Sequence, residues 1–139
     1  MVPMSKKLRA WVLIILAAIA AALLFRGSAL DSERAVQIIL GEAADQSFIG
    51  KIAVGEVIRN RGSFEGFSST LKDLDAFYKE QPPKARRDAQ RAWFLSCFTD
   101  FTHSADHFDN VKAFGVPEWA ASMRKTVKID DMQYYRSRG

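Results

Sequence analysis

One cysteine in 139 residues leaves this chain no internal disulfide, so its stability has to come from an apolar core. Cys97 follows Trp93 by one helical turn, on an apolar face with Ala85, Ala89 and Ala92, which reads as a core position and not as an exposed reactive thiol. Only two histidines are present. His103, Asp106 and His107 carry metal-ligand chemistry, but no predicted helix fixes their spacing, and neither a metal nor a cofactor is expected. Acids are missing altogether before Asp31, where Lys6, Lys7, Arg9 and Arg26 supply the whole excess of 20 basic over 16 acidic residues. Everything after position 29 is therefore charge-balanced. That excludes the basic footprint on which nucleic-acid binding rests. Internal repeats are absent too, and the length allows one domain plus a leader.

The leader is residues 1–29. Its basic start precedes an unbroken apolar run from Ala10 to Phe25, closed by Arg26, the layout of a secretory signal or a signal anchor. At 1.5 Å per residue the run reaches about 24 Å, short for a bilayer core of about 30 Å and long for the apolar region of a signal peptide. Gly27-Ser28-Ala29 offers small residues for cleavage after Ala29. The expectation is a transmembrane or signal-anchor helix contacting the inner membrane through residues 10–25. The N-terminus would lie in the cytoplasm and residues 30–139 outside it, membrane-anchored or periplasmic.

From Asp31 to Ala44 the spacing predicts a helix, with Val36, Ile39, Leu40 and Ala43 at i, i+3, i+4 and i+7. Glu42 lies at the edge of that stripe. A carboxyl desolvated by apolar neighbours keeps its proton longer and can donate it near neutrality, although a solvated edge residue fits the same spacing. Ser47 caps a second predicted helix, Phe48 to about Arg61, with Ile49, Ile52, Ala53 and Val57 on its apolar face. Glu56 and Asn60 project into the middle of that face, as a hydrogen-bonded tie to a neighbouring loop or as groups lining a groove.

Further on, Gly62 to Ser69 reads as a connection, and Pro82-Pro83 starts a helix that runs to about Phe98. Pro117 starts another segment, with Trp119, Met123 and Val127 at helical spacing as core. Val127–Ile129 and Gln133–Tyr135 read as short strands around an Asp130-Asp131 turn.

The run GEAADQSFIGKIAVGEVIRNR, with the later ADHFDN, PEWAASM and VKIDDMQYYR, resembles the SleB-type cell-wall hydrolases, the family that includes spore cortex-lytic enzymes. The resemblance spans about Ala35 to Arg136. It implies a compact, lysozyme-like, mainly helical (α+β) domain with a short C-terminal β-hairpin that cleaves peptidoglycan glycan strands, as lytic transglycosylases do, with Glu42 as catalytic acid. It also places His107, Phe108 and Asn110 beside the cleft, and Asn60, Tyr134 and Tyr135 are candidates for holding sugar rings and N-acetyl arms. The chain departs from the family pattern at Gln46, where an acid is common, at Ile129 to Tyr135, where a histidine is common, and in a shortened middle between Phe67 and Pro83. The alanine-rich leader resembles the signal-arrest-release anchors of some phage endolysins.

The expected function is cleavage between N-acetylmuramic acid and N-acetylglucosamine by a monomeric exported enzyme. With the muramoyl C6 hydroxyl as acceptor, one carboxyl suffices as acid and then base. With water as acceptor a second acid is needed, and Glu56 and Asp45 are the nearby candidates. Rival readings are a non-catalytic membrane-anchored binding protein, with Glu42 and Glu56 structural, and a cysteine peptidase using Cys97 with His103 or His107.

Overall fold

The computed structural model describes residues 5–27, 30–67 and 73–139. The expected processing site at Ala29 and the end of the 62–69 connection lie outside them. Helix α1 (Lys6–Gly27) precedes α2 (Ser32–Ala43), α3 (Phe48–Arg61), α4 (Leu74–Glu80) and α5 (Pro83–Leu95). Then come β1 (His107–Asp109), the one-turn α6 (Val111–Phe114), a 3-10 helix (Glu118–Ser122), β2 (Arg124–Ile129) and β3 (Met132–Arg136). The mainly helical domain with a small sheet agrees with the expectation.

All side chains of α1 from Lys6 to Ala22 are exposed. Among the described residues, no helix is long and apolar enough to cross a membrane, and the expected transmembrane span is not found there.

In the domain, α2, α3 and α5 pack on one another around a core that includes Ile38, Ile39, Leu40, Val54, Val57, Ile58 and Trp93. Local signals set the helix ends. The Asp31 carboxylate accepts from the Glu33 and Arg34 amides at 2.9 and 3.3 Å, and Ser47 Oγ accepts from the Gly50 amide at 3.1 Å, each satisfying first-turn N–H groups. Gly62, at φ 70°, ends α3 in the left-handed region and donates its N–H to the Ile58 carbonyl.

Helix α3 is buried on every side from Gly50 to Ile58, whereas the sequence predicts an amphipathic helix with Ile49 on the core face. Ile49 is 46% exposed. Glycine makes the central position possible. A Cβ on Gly55 would stand 2.9 Å from both Cβ and Oγ of Ser96, and one on Gly50 would clash with the Asp130 carboxylate, 2.5 Å away. Lys51 is also buried and donates from Nζ to the Gln46 and Ala44 carbonyls at 2.7 and 3.4 Å, closing the turn between α2 and α3. Burial pushes its ammonium pKa down, against the opposing pull of Asp88 and Asp45.

The sheet is antiparallel throughout, in the order β1-β3-β2. The predicted hairpin is present, turning at Asp130 with φ 52°. Its turn docks on the helices, since Asp130 Oδ2 accepts from the Ser47 amide at 2.9 Å and hydroxyl at 2.7 Å. Pro117 does not start an α-helix carrying Trp119, Met123 and Val127: a 3-10 turn is followed at once by β2, so the three residues share no helical face. Helix α5 ends at Leu95, short of Phe98, which leaves Cys97 half-buried in a turn and not on a core helix face.

Alanine for glycine inside a helix ordinarily stabilises by about 1 kcal/mol. Gly55→Ala is expected to do the reverse and destabilise by about 1–3 kcal/mol, because Ser96 is held against α3 by Arg59. Urea denaturation checks the sign.

Candidate active site

The chain between α5 and β1 has little regular structure, so its buried amides need partners from elsewhere. Helix α3 supplies them. Glu56, 2% exposed, accepts four hydrogen bonds: from Thr99 Oγ1 at 2.6 Å, the Phe101 amide at 3.1 Å, and the Thr102 amide and hydroxyl at 2.9 and 3.0 Å. One turn on, Asn60 Nδ2 donates to the Ala105 carbonyl at 2.8 Å, and Arg61 Nε donates to the Asp106 carbonyl at 3.0 Å. Asp100 closes the tight turn in between, accepting from the Ser104 amide at 2.6 Å, and His103 and Ser104 adopt positive φ. This seam delivers β1 to one side of a groove of about 720 Å³.

Glu42, near the end of α2 and half-buried, lines that groove. Arg61, Glu65 and Phe67 line it from the end of α3 and the following turn, His107, Phe108, Asp109 and Asn110 from β1 and its end, and Phe114, Trp119 and Met132 complete it. The lining therefore combines aromatic faces, carboxylates and an amide, the mixture that a sugar ring with equatorial hydroxyls and an acyl-amide arm can use.

Several of these groups are held rigidly. His107 Nδ1 lies 2.9 Å from Asp106 Oδ1, and its ring centroid lies 5.5 Å from that of Trp119. Burial alone would push the Asp106 carboxyl up, but the bonds from His107 and Ser137 outweigh it, and the net shift is downward. Asn110 Oδ1 accepts from the Ala113 amide at 3.0 Å, capping α6. Arg61 is fixed by a second bond, Nη1 to the Glu65 carbonyl at 2.8 Å, and by the Phe67 ring, 4.1 Å from its guanidinium carbon.

Of the residues singled out in the sequence, the fold brings Glu42, His107 and Asn110 together in the groove. Glu56 is not there. As a buried acceptor with four donors it anchors the 99–102 segment, which corrects its candidacy as a second acid. Asp45 is exposed in the turn after α2, accepts from Gln46 Nε2 at 3.0 Å, and does not line the groove. Asn60 is exposed and spends its amide on Ala105. Tyr134 and Tyr135 are fully buried, which corrects their expected sugar contacts. Strand alternation would leave one of them outward, but both faces of β3 are covered: Tyr134 packs on Phe108, centroids 5.6 Å apart, and Tyr135 lies under Trp119, 5.2 Å apart. Burial pushes both phenol pKa values up. Cys97 does not line the groove, and among the described residues no three His, Cys, Asp or Glu side chains converge as metal ligands.

Sequence reasoning missed Glu65, Phe67, Asp109 and Trp119 as lining residues, and took Arg61 only as part of a motif. Nothing in periodicity could place them, because the 62–67 turn and β1 are brought together by tertiary contacts, Arg61 with its carbonyl partners and Phe67 against Phe108.

No family model matches the sequence, and no curated protein matches it. Two solved structures are similar in fold. The catalytic domain of the Bacillus cereus SleB protein superposes with a TM-score of 0.57 at 18% identity, over 73% of this chain and 86% of that one. The catalytic domain of a germination-specific lytic transglycosylase, SleB from Bacillus anthracis, gives 0.58 at 20% identity, over 76% and 93%.

Removing the buried anchor is expected to cost stability first. Glu56→Ala strands the Phe101 and Thr102 amides and should destabilise by about 3 kcal/mol, read as a lowered urea midpoint. An unchanged midpoint with abolished turnover would return Glu56 to the catalytic candidates.

Proposed function

We propose that residues 30–139 cleave the glycan strands of peptidoglycan between N-acetylmuramic acid and N-acetylglucosamine, with Glu42 as general acid. The observation that carries this reading is the position of Glu42, half-buried on the wall of a groove whose other walls present aromatic rings and the Asn110 amide. The fold, similar to catalytic domains of SleB proteins, one of them described as a lytic transglycosylase, supports it.

In the proposed reaction the Glu42 carboxyl protonates the glycosidic oxygen as the C1–O bond breaks and oxocarbenium character develops at C1. The electron pair leaves with the oxygen. The resulting carboxylate then takes the proton of the muramoyl C6 hydroxyl as that oxygen bonds to C1, which restores the acid and gives a 1,6-anhydro product. His107, Asn110 and Trp119 are proposed to hold the flanking sugars, the aromatic ring by stacking and the amide by hydrogen bonds to an N-acetyl arm. A hydrolytic variant has one specific support. Glu65 and Asp109 share the groove with Glu42, and either could position a water, the role that the sequence had offered to Glu56 and Asp45.

The chain is further proposed to act outside the cytoplasm, exported by its first 29 residues, as either a phage lysin or a bacterial remodelling enzyme. N-terminal sequencing of the periplasmic protein is expected to start at Leu30, and recovery of the intact chain from the cytoplasm alone would reject export.

Glu42→Gln keeps the shape but cannot donate a proton, and should lower release of dye from labelled murein by about 100-fold or more with an unchanged melting temperature. Retention of over a tenth of the activity would remove Glu42 from its role, and no release by the wild type would favour a non-catalytic binding protein. Mass spectrometry of the digest is expected to find anhydro-muramic ends. Reducing muramic ends would establish hydrolysis and make Glu65→Gln and Asp109→Asn the next variants.

A further inference from the structure

Among the described residues lining the groove, Arg61 carries the single permanent positive charge. It is not a mobile surface arginine. Its Nε donates to the Asp106 carbonyl at 3.0 Å, its Nη1 donates to the Glu65 carbonyl at 2.8 Å, and the Phe67 ring lies 4.1 Å from its guanidinium carbon. Both hydrogen-bonding partners are neutral carbonyls, so the contacts fix the group in place without cancelling its charge. A planar guanidinium with a rigid fork of donors loses little freedom in such a setting. Glu42 lines the same groove, and burial pushes the Arg61 pKa down while Asp106 and Glu42 act in the opposite direction.

We infer that Arg61 is a positioning residue for the acid: its fixed charge stabilises the negative charge that develops on Glu42 as the proton passes to the glycosidic oxygen. This rests on the reading of Glu42 as the general acid. A preorganised charge aimed at a site where charge appears only during reaction lowers the barrier without tightening the ground state. The same charge holds the Glu42 carboxylate until it takes the C6 proton back. Lys51, the other buried cation near α2, is committed to the backbone carbonyls of the turn and does not line the groove.

The test compares Arg61→Gln, Arg61→Met and Arg61→Lys in the full chain, following the initial rate of murein cleavage against substrate concentration, with melting temperature as a fold control. The neutral variants are expected to lose about 10- to 100-fold in kcat, with KM changed less than about threefold. Arg61→Lys, which keeps the charge, should recover part of the kcat.

An equal loss of kcat in all three, or a loss carried by KM with kcat unchanged in the folded neutral variants, would overturn the inference. Glu42→Gln separates the two levels of argument. If it stays active, the acid assignment itself fails. If it is inactive while the neutral Arg61 variants keep their kcat, only the role of Arg61 falls.

Discussion

A charged side chain placed inside the core organises the rest of this domain. Glu56 lies on the most buried helix, where an unpaired carboxylate would be severely penalised. It is tolerated because four donors from Thr99, Phe101 and Thr102 converge on its two oxygens. The dependence runs both ways. The irregular segment after α5 has no ladder of its own to satisfy its amides, and without the carboxylate it would have no defined path past α3. Asn60 and Arg61 continue the same seam toward the sheet, so polar contacts on one helix fix where β1 begins.

The groove follows from that placement. Its one wall descends from α2 and carries Glu42; its other is the strand that the seam delivers, with His107, Asp109 and Asn110 at its surface. Arg61 links the two by bonding both to the carbonyl before β1 and to the turn after α3. A single helix thus carries the residue that anchors the irregular segment and the residue that borders the groove, five positions apart. Crowding sets the remaining constraint: Gly50 and Gly55 let the hairpin turn and α5 approach α3 closely, and this draws the helices and the sheet into one body around the groove.

Much of the domain can be read locally because the responsible interactions are local. Asp31 and Ser47 bond first-turn amides within three residues of themselves, Gly62 supplies a left-handed cap, and the hairpin turns at Asp130-Asp131, so helix starts and the terminal strands are legible in a single pass. The stripe of α2 is equally clear, and with it the position of Glu42 at its edge. Periodicity misleads where burial is not one-sided. Helix α3 is enclosed all round, so its face could not be deduced from 3.6-residue spacing, and the same ambiguity made a helix of the 3-10 turn at Trp119. On β3 the two-residue alternation predicts one exposed tyrosine, yet both sheet faces are covered.

By itself, then, the sequence determined helices α2 and α3 with their caps, the start of α5, the C-terminal hairpin, the charge-balanced stretch behind a basic apolar leader, and Glu42 as an acid in apolar company; each depends on neighbours within a turn or two of chain. Only the tertiary structure decided what that acid faces. The partners of Glu56 lie 43 to 46 residues away, those of Arg61 lie on two separate segments, and the groove is assembled from five stretches of chain. Such contacts arise from packing and from the need to satisfy buried polar groups, and these forces have no short-range signature in the order of residues.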